Sequence, residues 1–298
     1  MSHEVTVLGA GKLGAAFVAR WVAAERPVRV WNRSSERAQA LAAESAPAQV
    51  VAVDGLTDAV ADVPLVVSLL TDGAAIIDVL VDQGAIAAMA PGTTLVDFST
   101  VDVASSERVA EEAVAHGVHY MRGGVSGTAA VVRAGGAGLL LSGPPEAFGT
   151  AHPPLAEISE THIPLGREEE ARVAKLAVNL VLGSTMQSLA EAIVLAETAG
   201  LSRAKLFRAL EGSVLFSRFM GYKAAALTER NYAPTFRTAD MRKDAEIAAG
   251  LAADAGLELP GLAAVVEQLR AAEAAGYADQ DFAALLRITQ QGSGQPVD

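Results

Sequence analysis

The chain has 298 residues, of which 51% are hydrophobic, and it carries a formal net charge of -12. A chain of this length and apolar content can bury the core of one large domain or of two ordinary ones. It contains no cysteine, which excludes disulfides, thiolate catalysis and Cys-ligated metal. The acidic balance argues against nucleic-acid binding, because phosphate contacts require a basic face.

The N-terminal residues lack a basic segment followed by an apolar run and a cleavage site, so we expect no export. Together with the absence of cysteine, this predicts a cytoplasmic protein. The most apolar long segment, Val173 to Ala199, contains Lys175, Asn179, Gln187, Glu191 and Glu197, which lipid would bury at large cost. We predict a helix in the protein interior, covered in part by a second subunit, and no membrane span.

A first strand leads through a glycine-rich turn into a helix. The strand EVTVL covers residues 4–8 and the helix extends to Ala24; between them stand Gly9, Ala10, Gly11, Lys12, Leu13 and Gly14. The first glycine permits a tight turn, the second lets the backbone approach phosphates, and the third lets helix and strand pack closely. The helix N-terminus adds free N–H groups, so this order predicts a dinucleotide pyrophosphate site.

The second strand, Pro27 to Trp31, ends without the acidic residue that usually binds a ribose 2'-hydroxyl. Asn32, Arg33 and Ser34 follow instead. Arg33 can pair with a 2'-phosphate, with Asn32 and Ser34 as hydrogen-bond partners, while Ser34 or Ser35 caps the next helix. We therefore predict NADP(H) as the cofactor; the alternative is that Arg33 is a solvated turn residue.

Two further strands, near residues 64–70 and 94–98, are predicted to be buried and parallel. In a doubly wound sheet, ligands lie outside the carboxyl ends of the strands. We therefore expect the cofactor to be flanked by Leu69, Leu70 and Thr71, with Thr100 as a further contact. The hydroxyls at 99 and 100 can bond the nicotinamide ribose or the substrate, although an ordinary helix cap explains them equally well.

A strand at Val118 to Met121 leads into a glycine-rich loop that ends in Ser126, Gly127 and Thr128. Such a strand end exposes N–H groups that can hold a carboxylate or a polarised oxygen, although plain turn geometry also explains the glycines. Further elements as far as a strand near His162 complete the first half. We predict an α/β fold with an N-terminal Rossmann domain, a doubly wound sheet, over residues 1–165.

After Gly166 the pattern predicts helices only. A long interdomain helix over 166–199 is expected to begin with Glu168, Glu169 and Glu170 in its first turn and to end at Gly200. It carries Lys175 and Asn179 one turn apart, so an ammonium and a carboxamide point into one region. A solvated Lys175 is the alternative. We predict an all-helical domain at 200–290 and a disordered tail at 291–298.

The histidines are scattered, so we predict no metal site. They are His3, His116, His119, His152 and His162. The spacing of His116 and His119 falls across a helix end and a strand, which indicates structural roles for both.

Five motifs occur in an order and spacing that resemble the β-hydroxyacid dehydrogenase family over nearly the whole chain. They are LGAGKLG at 8–14, DFST at 97–100, GGVSGT at 123–128, KLAVN at 175–179 and MRKD at 241–244. The family includes 3-hydroxyisobutyrate dehydrogenases and glyoxylate or succinic semialdehyde reductases. The resemblance implies a Rossmann domain, a long interdomain helix and a helical dimerisation domain, and hence a homodimer or higher homo-oligomer.

The resemblance also implies roles for individual residues. Lys175 would protonate the carbonyl oxygen during hydride transfer, Asn179 would orient it, residues 126–128 would form the substrate loop, and Lys243 would contact the cofactor. We therefore predict an NADPH-dependent oxidoreductase that acts on a small aldehyde, ketone or β-hydroxy acid.

The sequence departs from the family pattern around the expected substrate loop. Arg122-Gly123-Gly124 stands where the family usually has Asp-Ala-Pro, Thr128 replaces a glycine, and residues 101–103 lack the usual proline. These changes leave the identity of the substrate open. The strand end WNRSS resembles that of the related imine reductases, which generally lack the lysine. Because of this shared strand end, an imine reductase or reductive aminase is the alternative function. A non-catalytic NADP-binding protein is a second alternative.

Overall fold

A computed structural model describes residues 5–45 and 49–298 of the chain. His3 and Glu4, which figure in the sequence predictions, lie outside the described residues. The chain divides into two compact units, Met1–Lys175 and Leu176–Asp298.

The described residues of the first unit form one sheet of eight strands. They are β1 (Val5–Leu8), β2 (Val28–Trp31), β3 (Val50–Ala52), β4 (Leu65–Ser68), β5 (Thr94–Asp97), β6 (His119–Ser126), β7 (Gly138–Ser142) and β8 (Thr161–Gly166). The spatial order is β3-β2-β1-β4-β5-β6-β7-β8, and only the β6–β7 pair is antiparallel. The chain starts in the middle and winds outward on both sides, which confirms the predicted doubly wound α/β fold. Every residue of β1, β4 and β5 is buried, as expected for parallel strands covered on both faces.

Eight α-helices lie between the strands of this sheet in the described residues of the first unit. They are α1 (Lys12–Ala23), α2 (Ser35–Glu44), α3 (Leu56–Val60), α4 (Gly73–Ile76), α5 (Ala85–Ala88), α6 (Val103–Ala115), α7 (Ala129–Arg133) and α8 (Pro145–Ile158). The short α4 is followed by a π-helical segment, Ile77–Asp82. The sequence analysis missed α5 and α7, because four and five residues are too few to show a helical period.

Strand β6 is longer than predicted. We expected a strand that ends at Met121 and a glycine-rich loop from Gly123, but residues 122–126 continue the strand because they pair antiparallel with β7. Gly127, at φ +149°, and Thr128 follow the strand. The loop is therefore shorter than the glycines suggested.

The second unit is helical. The long helix α9 (Glu170–Thr198) runs into it from the first unit, and it is followed by α10 (Arg203–Glu211), α11 (Arg218–Thr228), α12 (Thr238–Asp254), α13 (Pro260–Ala274) and α14 (Leu285–Gly292), with a 3-10 turn at Phe282–Ala284. Gly200, at φ +77°, follows the end of α9 as expected. Of the three glutamates expected in its first turn, only Glu170 lies in the helix.

The tail predicted to be disordered is ordered. Gln291 and Gly292 belong to α14, and the Asp298 side chain is 1% exposed. Its carboxylate accepts a bidentate pair of hydrogen bonds from Arg203, at 2.7 and 2.8 Å, and one from Tyr232 at 2.6 Å. The polar composition of the tail gave no indication of this buried carboxylate.

Among the described residues, α9 is the one helix long and apolar enough to cross a membrane, judged by length and composition alone. One third of its most apolar window, 33%, is buried inside the protein. Its exposed residues include Val178, Val181 and Leu195, which are 41%, 62% and 74% exposed. The helix therefore presents apolar side chains beyond those that the fold of this chain covers.

Candidate active site

The turn after β1 has the geometry that a bound pyrophosphate requires. Gly9 has φ +114°, and a Cβ added there would lie 2.5 Å from Leu69 O, while one on Gly14 would collide with Gly9 O. A Cβ on Gly11 would meet nothing within 4 Å, and no side chain caps α1. The N-terminus of α1 therefore offers uncapped N–H groups beside open space, and the turn formed with Ala10, Lys12 and Leu13 fits a phosphate ligand.

The residues after β2 have unequal roles. Asn32 Oδ1 accepts a hydrogen bond from Ala10 N at 2.9 Å, and its Nδ2 donates to Ser34 O at 3.0 Å, so this side chain ties the glycine turn to the next loop. Arg33 is exposed and forms no hydrogen bond or ion pair within the described ranges. Ser34 occupies the N-cap position of α2, but its hydroxyl makes no capping bond, contrary to one expectation. Arg33 and the Ser34 hydroxyl are thus the groups at this strand end that a ligand can engage.

The carboxyl ends of β1, β4 and β5 lie side by side, because Leu8 is opposite Ser68 and Ser68 is opposite Asp97. The glycine turn, residues 69–71 and residues 99–100 consequently share one edge of the sheet, as predicted. Ser99 has a structural role there. Its Oγ accepts a hydrogen bond from Leu70 N at 2.8 Å and donates to Asp97 Oδ1 at 2.6 Å.

Lys175 lies near the start of α9, against β6. Its Nζ donates a hydrogen bond to Val125 O at 2.9 Å, and its side chain is half-buried rather than solvated. A Cβ on Gly124 would lie 3.1 Å from Lys175 Cβ, so the missing side chain lets the helix approach the strand. The lysine lines a small recess together with Ser99, Thr100, Val101, Gly123 and Arg172. An ammonium group is therefore held beside the sheet edge that carries the predicted cofactor residues.

Arg172 is the main feature of this site that sequence reasoning missed. The residue is 3% exposed, and its guanidinium donates hydrogen bonds to Asp97 Oδ2 at 2.6 Å, Ser99 O at 2.7 Å, Ser106 Oγ at 2.6 Å and Tyr120 OH at 2.5 Å. Burial opposes its charge, but Tyr120, Asp97 and Glu169 outweigh that cost and raise the pKa of Arg172. It stays cationic. The signal in the sequence was an arginine in an apolar helical run, three residues before the lysine.

A second arginine completes this buried cluster. Arg122 Nε donates to Glu169 Oε1 at 2.7 Å, and Arg172 Nε lies 3.4 Å from Glu169 Oε2. Burial raises the pKa of Tyr120 to about 12, so the phenol keeps its proton. Asp97 and Glu169 therefore balance the two guanidinium groups, which are occupied by protein partners.

The predicted substrate loop begins where this strand ends. Ser126 is exposed and follows Val125, whose carbonyl holds the lysine. Thr128 Oγ1 accepts from Val131 N at 3.4 Å and caps α7, a role that the sequence analysis did not assign. A Cβ on Gly127 would lie 3.0 Å from Val131 Cγ1. Ser126 is consequently the loop residue whose side chain the fold leaves accessible beside Val125.

The second unit holds the other two predicted site residues together through an aspartate. Asn179 is 1% exposed, and its Nδ2 donates to Asp244 Oδ2 at 2.7 Å. Lys243 Nζ lies 2.9 Å from Asp244 Oδ1. Asp244, itself buried, belongs to the MRKD motif, but no site role was predicted for it. The structure thus fixes the Asn179 carboxamide by a charged hydrogen bond within the helical unit.

Three of the described histidines make local contacts. His116 Nδ1 is 3.0 Å from Glu112 O at the end of α6, and the rings of His152 and His162 pack edge to face at 4.9 Å. Within residues 5–45 and 49–298, no group of three or more His, Asp or Glu side chains could hold a metal ion.

A doubly wound sheet with an uncapped helix N-terminus after its first strand defines a dinucleotide-binding protein, and a lysine held at the same edge suits an oxidoreductase. A family profile described as the NAD binding domain of 6-phosphogluconate dehydrogenase matches residues 4–166. A second, described as NAD-binding of NADP-dependent 3-hydroxyisobutyrate dehydrogenase, matches residues 170–289. The chain belongs to this family, the β-hydroxyacid dehydrogenases, and is an NAD(P)-dependent oxidoreductase.

Individual relatives cover almost the whole chain. Glyoxylate/succinic semialdehyde reductase 1 of Arabidopsis thaliana is 27% identical over 96% of this chain and 98% of its own length. The 3-hydroxyisobutyrate dehydrogenase of Mycobacterium tuberculosis, solved with L-serine, is 27% identical and superposes with a TM-score of 0.86 over 97% of this chain and 99% of its own. A reductive aminase of Aspergillus terreus, at 21% identity, 96% of this chain, 98% of its own and a TM-score of 0.60, shares the fold.

Proposed function

We propose that the protein is an NADPH-dependent oxidoreductase that reduces a small aldehyde or ketone to the alcohol, or in reverse oxidises a β-hydroxy acid to the carbonyl acid, with Lys175 as the general acid or base. The observation that carries this proposal is the hydrogen bond of 2.9 Å from Lys175 Nζ to Val125 O. It fixes an ammonium group at the recess beside Thr100 and next to Ser126. Glyoxylate/succinic semialdehyde reductase and 3-hydroxyisobutyrate dehydrogenase among the relatives support this substrate class.

The residues at the sheet edge suit the cofactor. Gly9 to Leu13 would hold the pyrophosphate at the N-terminus of α1, and Leu69 to Thr71 with Thr100 would flank the remainder. Arg33 is an exposed cation at the strand end where no acidic residue follows β2, which supports binding of a 2'-phosphate and hence NADP(H). Asn32 would act indirectly, by holding the glycine turn in place.

Lys175 would act on the carbonyl oxygen. At this edge of the sheet, a bound reduced nicotinamide would supply the hydride that reduces the carbonyl carbon. Val125 O accepts one of the three ammonium hydrogens and so sets the direction in which Nζ points. Lys175 donates a hydrogen bond to the substrate oxygen and gives it a proton as negative charge develops. Acid catalysis of this kind is worth about a hundredfold to ten-thousandfold in rate.

Three further residues have proposed roles. The Ser126 hydroxyl, with the backbone at Gly127 and Thr128, would hold a polar group of the substrate. Asn179 would orient the lysine, and its buried hydrogen bond to Asp244 supports a fixed carboxamide. Lys243 would contact the cofactor.

The test is a panel of short semialdehydes, 2-keto acids, 3-hydroxy acids and a cyclic imine, each followed by NADPH and NADH absorbance in parallel. Lys175→Met should reduce turnover at least about a hundredfold while NADPH binding, followed by fluorescence, stays within about twofold. The matched control is Lys205→Met, because Lys205 is an exposed helical lysine of the second unit. Retention of most activity by Lys175→Met refutes the assigned mechanism.

The same panel decides between this function and its alternatives. Preferred turnover of the cyclic imine would identify an imine reductase or reductive aminase, as the fold shared with the Aspergillus terreus enzyme and the WNRSS strand end allow. Cofactor binding without consumption of any substrate would identify a non-catalytic NADP-binding protein.

We also propose a cytoplasmic homodimer or higher homo-oligomer. The exposed apolar side chains of α9, Val178 and Val181 among them, support a subunit interface. Light scattering of the wild type and of Val181→Glu tests it: the variant should shift toward monomer.

A further inference from the structure

The lysine and the buried arginine occupy neighbouring turns of one helix. Arg172 precedes Lys175 by three residues in α9, so their side chains leave the same side of the helix. Both line the recess next to Thr100. Any constraint on the guanidinium is therefore a constraint on the helical turn that carries the ammonium.

The guanidinium joins that turn to three separate elements of the first unit. It reaches Asp97 at the end of β5, Ser106 in α6 and Tyr120 in β6. A fourth bond goes to the backbone at Ser99 O, 2.7 Å away. The planar guanidinium donates hydrogen bonds in several fixed directions, so it fixes the orientation of the helical turn as well as its distance from the sheet. A lysine ammonium could not fix the orientation in this way.

The partners of Arg172 are themselves fixed. Asp97 is fully buried, and its other oxygen accepts hydrogen bonds from Ser68 Oγ at 2.7 Å and Ser99 Oγ at 2.6 Å. A buried charge pair contributes little net stability compared with apolar residues of the same volume, because of its desolvation cost. A cluster with so many directed bonds is better suited to defining a geometry.

We propose that Arg172 is a positioning residue for Lys175: its bonds to Asp97, Ser99, Ser106 and Tyr120 hold the first turn of α9 so that the ammonium stays against Val125 O at the recess. The inference rests on the proposed role of Lys175 as general acid. It assigns Arg172 no bond to substrate, because its nitrogens already donate to protein groups.

The decisive variants are Arg172→Lys and Tyr120→Phe, which keep a cation or an aromatic ring in place and remove directed bonds. Arg172→Met is the stronger perturbation, since it leaves Asp97 without its cation. Arg203→Met is the matched control, because Arg203 is equally buried, at 4% exposure, and also binds carboxylates, but lies in the helical unit.

Positioning predicts that kcat falls about tenfold to a hundredfold in Arg172→Lys and about threefold to tenfold in Tyr120→Phe, with little change in KM. Amide hydrogen exchange of residues 170–175 should accelerate in both. Arg203→Met should lower the melting temperature but leave kcat and this exchange unchanged. A direct role in substrate binding would instead raise KM at constant kcat, and that result overturns the proposal.

Lys175→Met, measured in parallel, separates the two proposals. If Lys175→Met is inactive while Arg172→Lys and Tyr120→Phe keep wild-type kcat and exchange, the positioning role is wrong and the proposed function stands. If Lys175→Met is active, the proposed function fails. In that case, faster amide exchange at residues 170–175 in Arg172→Lys would still show that Arg172 holds the first turn of α9. Unchanged exchange would refute that role.

Discussion

Two adjacent glycines of β6 allow the placement of the lysine to be separated from the stability of the sheet. In Gly124→Ala, the new Cβ would lie 3.1 Å from Lys175 Cβ and 3.4 Å from Lys175 Cγ, so the lysine must move by a few tenths of an ångström. The backbone at Gly124 is extended, and the loss of unfolded-state entropy offsets part of the strain by about 0.5 kcal/mol. Because a misplacement of about 1 Å can cost about a hundredfold in rate, we expect kcat to fall about threefold to tenfold at nearly unchanged stability.

Gly123→Ala is the contrasting variant. Its Cβ would enter the Phe98 ring at 2.5 to 2.6 Å, and Phe98 belongs to the hydrophobic core. Overpacking of this kind costs about 1–3 kcal/mol, and each kcal/mol corresponds to about 2–4 °C in melting temperature for a unit of this size.

Steady-state kinetics and thermal unfolding, measured on both variants, check the pair of predictions. An unchanged kcat in Gly124→Ala refutes the claim that the placement of Lys175 against β6 determines the rate of turnover. Unchanged stability in Gly123→Ala refutes the packing argument.

Other predictions follow from the two units. Arg33→Ala should raise the KM for NADPH about tenfold or more and leave that for NADH within about twofold, because only the 2'-phosphate needs the cation; equal effects on both cofactors would contradict the assignment. Asp102→Ala removes the N-cap that accepts from Ser105 N at 2.8 Å and should lower the free energy of unfolding by about 1 kcal/mol in denaturant titrations. In the second unit, burial opposes ionisation of Asp298, but hydrogen bonds from Arg203, Tyr232 and Gln290 outweigh it and lower its pKa from 3.8 to about 2. This carboxylate therefore contributes stability above its unfolded pKa and loses it as the pH falls from about 4 to about 2; with screening by solvent near the exposed Arg230, roughly 1–2 kcal/mol is at stake. Asp298→Asn should remove that part of the acid dependence, and an identical acid titration of wild type and variant would contradict it.

The doubly wound α/β architecture of the first unit could be predicted from local sequence patterns. The strand, glycine turn and helix at residues 5–23 form a contiguous signal, and the geometry of Gly9 and Gly14 agrees with the roles expected of them. Lys175 was singled out from the sequence through its motif, and it lies half-buried against β6. Features that depend on distant partners were missed. Arg172 bonds Asp97 and Tyr120, 75 and 52 residues away, and no periodicity in the chain indicates such a pairing.

The prediction of a disordered tail failed for the same physical reason, a contact between residues far apart in the chain. Residues 291–298 have a composition typical of disorder, yet one aspartate, Asp298, meets Arg203 across 95 residues of chain and fixes the segment. A composition argument averages over the residues of a segment. It cannot register one side chain that finds a buried cation, which is why the error falls on that segment and not on the helices before it.

The structure explains why residues 122–124 differ from the family pattern. Arg122 pairs with Glu169, Gly123 lies against Phe98, and Gly124 lies beneath Lys175. Of these three residues, Gly124 lies against α9, Arg122 binds the residue that precedes the helix, and Gly123 leaves room for the core ring of Phe98. Under the proposed function, substrate choice depends on the exposed Ser126 and on the backbone of Gly127 and Thr128. Substitution of Ser126 by alanine should accordingly change the ranking of substrates in the panel, whereas Gly124→Ala should lower turnover of all of them by a common factor.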